Sequence, residues 1–259
     1  MKAFFGELIG TFILVFMGTA SVALAISGAA FSGIFQIACV WGLAVFLGIV
    51  ASSKLSDGHL NPAVSVAMLM AKNISKSAFG KYVSGQLVGA FIAGLAVLFF
   101  FGDSLAVFEL KNGIIRGAEG SHQTAAAFGE FFPNPGFEGK IVASHATAFA
   151  AEFLGTFLLV LGIFGIVEKF PSDTLLAPMF IGSLVTLIIC IVAPISQAGL
   201  NPARDLMPRL VAYFSGWGEA AFPPVKYTAV TVYIVAPIFG GICAFWLKSF
   251  FGKLISNTQ

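Results

Sequence analysis

Two short runs hold the residues with the most chemical potential: His59-Leu60-Asn61-Pro62-Ala63-Val64-Ser65 and Gly199-Leu200-Asn201-Pro202-Ala203-Arg204-Asp205, which share Leu-Asn-Pro-Ala. A carboxamide such as Asn61 or Asn201 offers two N–H donors. A Pro directly after it suits the first position of a helix, where an N–H is not needed, and the Asn becomes the N-cap. The apolar segments that follow, 63–70 and 203–213, are too brief to cross a bilayer, which needs about 20 residues. Half-helices that end inside hydrocarbon are tolerated only where they are buried in protein or line a water-filled cavity. The pair therefore points to a pore, with each amide donating to a passing oxygen. A water or hydroxyl held by two donors turns its own hydrogens outward, so the file of hydrogen bonds reverses at the centre and proton hopping is interrupted. Two facing positive helix ends add an electrostatic barrier.

Arg204 is one of very few charges in an apolar region, and a charge at membrane depth is functional by default. Its guanidinium stays protonated and offers several donors; at an outer constriction it donates to a solute hydroxyl and repels cations. An ion pair with adjacent Asp205 is the structural alternative, weakened because neighbouring positions on a helix do not face each other. Glu7 and Glu152 are intramembrane carboxylates at matching places in two similar stretches, 7–15 and 152–160. They either brace the loops before the half-helices by accepting backbone N–H groups, or relay protons in a coupled transporter; one per repeat favours bracing. His59 reads as a further loop anchor, with gating by protonation as its alternative.

Two non-helical approaches, Asp57-Gly58-His59-Leu60 and Ser196-Gln197-Ala198-Gly199, are expected to present backbone carbonyls as a file of acceptors, with Gly58 and Gly199 suited to extended or left-handed turns. Asp57 reads first as an exposed carboxylate and second as a pore-vestibule group.

The rest of the chain must position these groups. Of its 259 residues 58% are hydrophobic and only 10% charged, and mean hydropathy is +0.95. A soluble domain carries about a quarter charged residues, so an integral membrane protein is expected. A net charge of +2 with dispersed bases gives no nucleic-acid footprint. Cys39, Cys190 and Cys243 lie in apolar runs without metal-ligand spacing and read as small core residues. No metal or cofactor is implied, nor a nucleophile and base pair, a His-Glu metal motif or a glycine-rich phosphate loop. The 29 Phe read as lipid-facing or core mass.

Six spans are expected at 4–27, 34–53, 79–101, 147–167, 175–193 and 225–250, the last containing Pro237, which neighbouring helices accommodate. The first follows Lys2 but carries Glu7 and ends without a small-residue cleavage site, so it is kept as a span. Glu7-to-Val15 matches Glu152-to-Val160 at an offset of 145, and the two Asn-Pro-Ala sites are 140 apart. One channel domain, 1–259, thus reads as two repeats: 1–102 with half-helix 61–72, and 147–259 with half-helix 202–214, joined by an outer loop, 103–146. Three spans per half make the repeat inverted, and the half-helices meet near the midplane. Lys2, Lys72, Lys76, Lys81, Lys169, Lys248 and Lys253 fall on one side, which places both termini in the cytoplasm of a cell membrane, plasma or bacterial inner. Small pairs such as Gly6 and Gly10, Gly85 and Gly89, or Gly240 and Gly241 let helices approach closely in lipid.

With paired Asn-Pro-Ala sites on inverted half-helices, the chain resembles the aquaporin superfamily over nearly its whole length. It is similar to the aquaglyceroporin, or glycerol facilitator, branch in Asp205 directly after Arg204, in Arg209 four positions later, and in Pro237-Ile238 in the last span. The outer loop Phe128-Gly129-Glu130-Phe131-Phe132-Pro133-Asn134-Pro135 is similar to that branch's Phe-x-Thr-Tyr-Pro-Asn-Pro, with Glu130 and Phe131 as departures. The resemblance implies an all-α fold of six spans and two re-entrant half-helices. It further implies a homotetramer with one pore per protomer, and glycerol or another small polyol, water and urea as solutes in a lipid bilayer. It also implies a constriction built from Trp41, Ile189, Ala198 and Arg204. Glycerol facilitators carry Gly and Phe where Ile189 and Ala198 stand here; the Trp, Ile, Ala, Arg set is similar to that of nodulin-like plant channels. Trp41 read alone is either an apolar wall or an interfacial belt residue, its place inside the span favouring the wall. The reading from another class is a secondary transporter coupled through Glu7 and Glu152, since inverted repeats and broken helices suit transporters too.

Overall fold

The computed structural model describes residues 1–171 and 174–256; the stretch expected as the second repeat includes 172, 173 and 257–259, which lie outside them. The protein is all-α. Its helices in order are α1 (Lys2–Ile26), α2 (Ile34–Ser52), α3 (Pro62–Met70), α4 (Lys76–Lys111), α5 (His122–Ala125), α6 (His145–Lys169), α7 (Leu176–Ser196), α8 (Pro202–Ala212), α9 (Tyr227–Val230) and α10 (Ala236–Ser256). Among the described residues six helical segments are long and apolar enough to span a membrane: α1, α2, α4, α6, α7 and Tyr227–Gly252.

Three differences from the expected elements have local causes. Helix α4 runs ten residues past the expected 101, because its last turns bury Leu105 and Glu109 against the outer loop. Glu109 accepts from Thr124 Oγ1 at 2.6 Å and pairs with Arg116 at 2.9 Å. Apolar length marks only the part of a helix that meets hydrocarbon, and this continuation meets protein instead. In the last span a π turn over Thr231–Val235 precedes Pro237, a wider turn of the kind that absorbs a missing N–H. Of the cysteines only Cys190 packs against the core, and it is partly exposed; Cys39 is exposed and Cys243 partly so. An apolar run cannot separate core from lipid contact, because lipid tails are as apolar as a protein interior.

Packing is cross-braced. Helix α1 lies on α2 and α4, and α6 on α7 and α10, while α2 and α7 join the halves. The short helix α3 packs on α10, and α8 on α4, so each half-helix is held by the last span of the other half. Missing side chains permit this closeness. A β-carbon on Gly42 would lie 2.5 Å from the Gly182 carbonyl, and one on Gly182 would lie 2.4 Å from that of Gly42. Gly89 of α4 meets the Leu8 carbonyl in the same way, at 2.3 Å.

Candidate functional site: a channel between two half-helices

Both half-helices begin as the sequence dictates, with Asn as N-cap and Pro at the first position. Asn61 Oδ1 accepts from the Ala63 N–H at 2.8 Å, and Asn201 Oδ1 from those of Ala203 and Arg204 at 3.1 and 3.3 Å. The two helix tips meet. Asn61 Nδ2 donates to the Leu200 carbonyl at 2.8 Å, and Asn201 Nδ2 to the Leu60 carbonyl at 2.7 Å. These reciprocal bonds use one hydrogen of each amide, which leaves the second for the lumen. Leu60 and Leu200 both have φ of 53°, an uncommon conformation for such residues that turns their carbonyls across the interface. Leu60 belongs to the first expected carbonyl strip, whereas Leu200 lies one residue beyond the second and is read from the sequence only as part of the repeated motif.

A cavity of about 440 Å³ runs past both Asn side chains. Leu14, Val45, Val64, Leu159, Ile163 and Val185 form part of an apolar wall, beside the strips 57–61 and 198–201. Trp41, Ile189, Ala198 and Arg204 all line it, so the four positions assigned to the constriction are together. The Arg204 guanidinium carbon lies 4.1 Å from the centroid of a Trp41 ring. Trp41 is buried, and Gly18 of α1 makes its room: a β-carbon there would come within 2.2 Å of the ring.

Glu7 and Glu152 bind the loops before the half-helices. Glu7 accepts from the N–H of His59 (3.0 Å) and Leu60 (2.7 Å), from Ser56 Oγ (2.8 Å) and from Gln86 Nε2 (2.7 Å). Glu152 accepts from the N–H of Gly199 (2.8 Å) and Leu200 (2.6 Å) and from Ser196 Oγ (2.6 Å). The His59 ring sits 3.1 Å from Ser65 Oγ and edge-on to Tyr82.

The carbonyl strips are shorter than expected on one side. Asp57, Gly58 and His59 line the channel, as do Ala198 and Gly199, but Ser196 and Gln197 do not. Ser196 closes α7 and is committed to Glu152. Gln197 caps that helix in the left-handed region and turns to the outer loop, accepting from the Phe131 N–H at 2.7 Å. Gly58 has a positive φ, 65°, but Gly199 does not; Gln197 and Ala198 take that conformation instead. Gly199 is required for closeness, since a β-carbon would sit 2.9 Å from the Tyr233 ring. Asp57 is exposed and also lines the mouth, its carboxylate accepting from Tyr82 Oη at 2.7 Å.

Asp205 does not pair with Arg204. It pairs with Arg209, one turn along α8, with Arg209 Nη2 at 2.5 Å and Nε at 3.2 Å. Arg209 also donates to the Ala221 and Glu130 carbonyls, both at 2.6 Å, and Asp205 accepts from the Glu130 N–H at 2.8 Å. These contacts fold the loop that bears Glu130 onto α8 and set the Glu130 carboxylate against the Arg204 guanidinium. Burial lifts the Glu130 carboxyl above its ordinary range, and contact with Arg204 works against that lift. Glu130 registered in the sequence only as a departure from a loop pattern. An acid flanked by Phe128, Phe131 and Phe132 was the available signal, because such residues are buried and a buried acid needs a partner. Pro237 and Ile238 lie in α10, outside the channel lining.

Residues 1–248 match the family described as major intrinsic protein. The chain is 34% identical to the glycerol uptake facilitator protein of Haemophilus influenzae, covering 97% of this chain and 95% of that one. It is 32% identical to the glycerol uptake facilitator protein of Escherichia coli K12, covering 97% and 87%. Its fold superposes on the X-ray structure of the aquaglyceroporin from Plasmodium falciparum with a TM-score of 0.78, at 26% identity, covering 95% of this chain and 93% of that one.

Proposed function

The chain belongs to the major intrinsic protein family, and from that premise we propose that it is a passive membrane channel for glycerol and similar small uncharged solutes, together with water. The observation that carries this reading is the two-sided channel: an apolar wall faces strips of backbone and two amides at the meeting of the half-helices. A polyol has the same two sides, a carbon chain and a row of hydroxyls. It slides with carbon on the wall while each hydroxyl exchanges water for an amide or carbonyl partner.

In this reading the free hydrogens of Asn61 and Asn201 hold one solute oxygen at the centre. That oxygen's own hydrogens point away toward both ends, so no continuous proton wire forms, and the two helix N-termini repel cations. Trp41, Ile189, Ala198 and Arg204 set the aperture, Trp41 and Ile189 as apolar sides and Arg204 as donor. Glu7, Glu152 and His59 hold the loops. Every oxygen of Glu7 and Glu152 is engaged by donors, which suits a fixed anionic brace better than a carboxylate that takes and releases a proton during transport. Asp57 belongs to the inner mouth, and Asp205 and Arg209 to the scaffold behind the constriction. Urea as a further solute, a homotetramer in a cell membrane, cytoplasmic termini and the division into repeats 1–102 and 147–259 complete the proposal. No covalent chemistry or cofactor enters it.

The test is stopped-flow light scattering on purified protein in liposomes, comparing water, glycerol, urea and longer polyols. Glycerol flux down its gradient, unchanged by an imposed proton gradient, is the expected result. Uphill glycerol accumulation driven by protons would establish the transporter reading instead.

A further inference from the structure

The outer end of the channel holds four buried charges, and they sum to zero. Arg204 and Arg209 are 4% and 0% exposed, Glu130 and Asp205 2% and 1%. Arg209 and Asp205 satisfy each other as a paired scaffold. The loop bearing Glu130 is fixed through its main chain: the Glu130 N–H donates to Asp205, the Glu130 carbonyl accepts from Arg209, and the Phe131 N–H donates to Gln197. The Glu130 carboxylate is therefore not what holds the loop. One of its oxygens meets Arg204, and the other, Oε2, is buried without a hydrogen-bond partner. That pattern is opposite to the bracing carboxylates Glu7 and Glu152, whose oxygens are all engaged. A carboxylate buried against a channel-lining guanidinium, and not needed to hold its loop, acts on what passes through the charge it sets on that guanidinium.

We propose that Glu130 determines charge selectivity at the constriction. Its carboxylate, buried behind the channel-lining Arg204, cancels the Arg204 charge, so the narrowest part of the channel is neutral and turns away small anions as well as cations. The proposal rests on the channel reading above and adds a residue behind the constriction that sets the charge of Arg204. A lone guanidinium in a low-dielectric passage repels cations but attracts anions. A guanidinium with a carboxylate in contact does neither at a distance, while Arg204 still lines the channel as a donor to a neutral hydroxyl. The groups facing Glu130 are Arg204, Asp205 and Arg209 of α8, with Tyr233 of the π turn acting on it from further away. A proton on Glu130, which its burial favours, leaves Arg204 unopposed and gives the constriction a net positive charge.

The experiment uses the full chain in liposomes, measuring glycerol, nitrate and methylammonium flux for wild type, Glu130→Gln, Glu130→Asp and Arg204→Gln. At about pH 8, Glu130→Gln is expected to raise the ratio of nitrate to glycerol flux by about tenfold or more, and Glu130→Asp to keep it near wild type. Arg204→Gln, which leaves the carboxylate alone, is expected to raise methylammonium flux instead. Acidification should raise nitrate flux in wild type and leave Glu130→Gln unchanged. Because the loop is held by its main chain, Glu130→Gln should fold with a melting temperature lowered only by the loss of the Arg204 counter-charge; Arg204→Gln supplies an independent arm if it does not fold. Wild-type ion ratios and pH profiles in both a folded Glu130→Gln and Arg204→Gln would overturn the assignment, whereas loss of glycerol flux in wild type itself would overturn the channel reading.

Discussion

Replacing Glu152 with Gln tests whether the half-helices are held by fixed carboxylates. The substitution changes one oxygen to an NH2 at nearly constant volume. In the orientation that keeps the Ser196 and Gly199 bonds, the new amide faces the Leu200 N–H, which loses its 2.6 Å acceptor. A bond to a charged acceptor is worth about 1.5 to 3 kcal/mol, and a buried N–H left facing another donor puts the loss at about 3 kcal/mol. For a chain of this size that lowers the melting temperature by roughly 6–12 °C. The Leu200 carbonyl accepts the Asn61 amide, so glycerol flux should fall with stability. Glu7→Gln should be milder by about 1 kcal/mol, roughly 2–4 °C, because Gln86 touches Glu7 and its Oε1 is a buried acceptor with no partner. Rotation of the Gln86 amide would present that oxygen to the new NH2. In a Gln86→Met background the advantage should vanish, and the double-mutant cycle measures it. The readouts are thermal unfolding of the solubilised protein and stopped-flow swelling of liposomes. Glu152→Gln with an unchanged melting temperature, or Glu7→Gln more damaging than Glu152→Gln, would refute the bracing argument.

Three further outcomes follow from the geometry. Trp41→Ala removes one side of the constriction and should admit longer polyols in the vesicle-swelling assay, while an unchanged size cutoff would place the narrowing elsewhere. Arg204→Val leaves Glu130 buried without its counter-charge and should raise cation conductance across planar bilayers; conductance as low as wild type would remove Arg204 and Glu130 from the barrier. Gly18→Val puts a side chain where the Trp41 ring lies, the first added carbon only 2.2 Å from it. Overpacking of that kind costs about 1–3 kcal/mol, and a shift in polyol selectivity should accompany the lowered melting temperature.

Much of this architecture is local and was legible residue by residue. Six runs of sufficient apolar length dictate six spanning helices, and Asn before Pro dictates a helix start wherever it occurs. Finding that signature twice, with Glu7 and Glu152 at matching places, pointed to two half-helices and to their loops as the partners of the two carboxylates. Boundaries were less legible where helices leave hydrocarbon: α4 continues on buried Leu105 and Glu109, a continuation that an apolar count does not see. The cysteines mark the same limit, since the sequence cannot tell a lipid-facing thiol from a buried one.

The chain alone determined where helices begin, which ones are short, and which residue types stand near the narrowing, because these depend on neighbours within a few positions. Tertiary structure alone decided the partners of Arg204, Ser196 and Gln197. Helix spacing already argued against Asp205 as the partner of Arg204 and suits its pairing with Arg209 four positions on, but only the fold brings a loop more than seventy residues upstream to set Glu130 against Arg204. Likewise Ser196 and Gln197 stand in the chain as channel residues but face Glu152 and the outer loop. A buried charge such as Arg204 is settled by whatever long-range partner removes the penalty of leaving water, and no spacing along the chain encodes that partner.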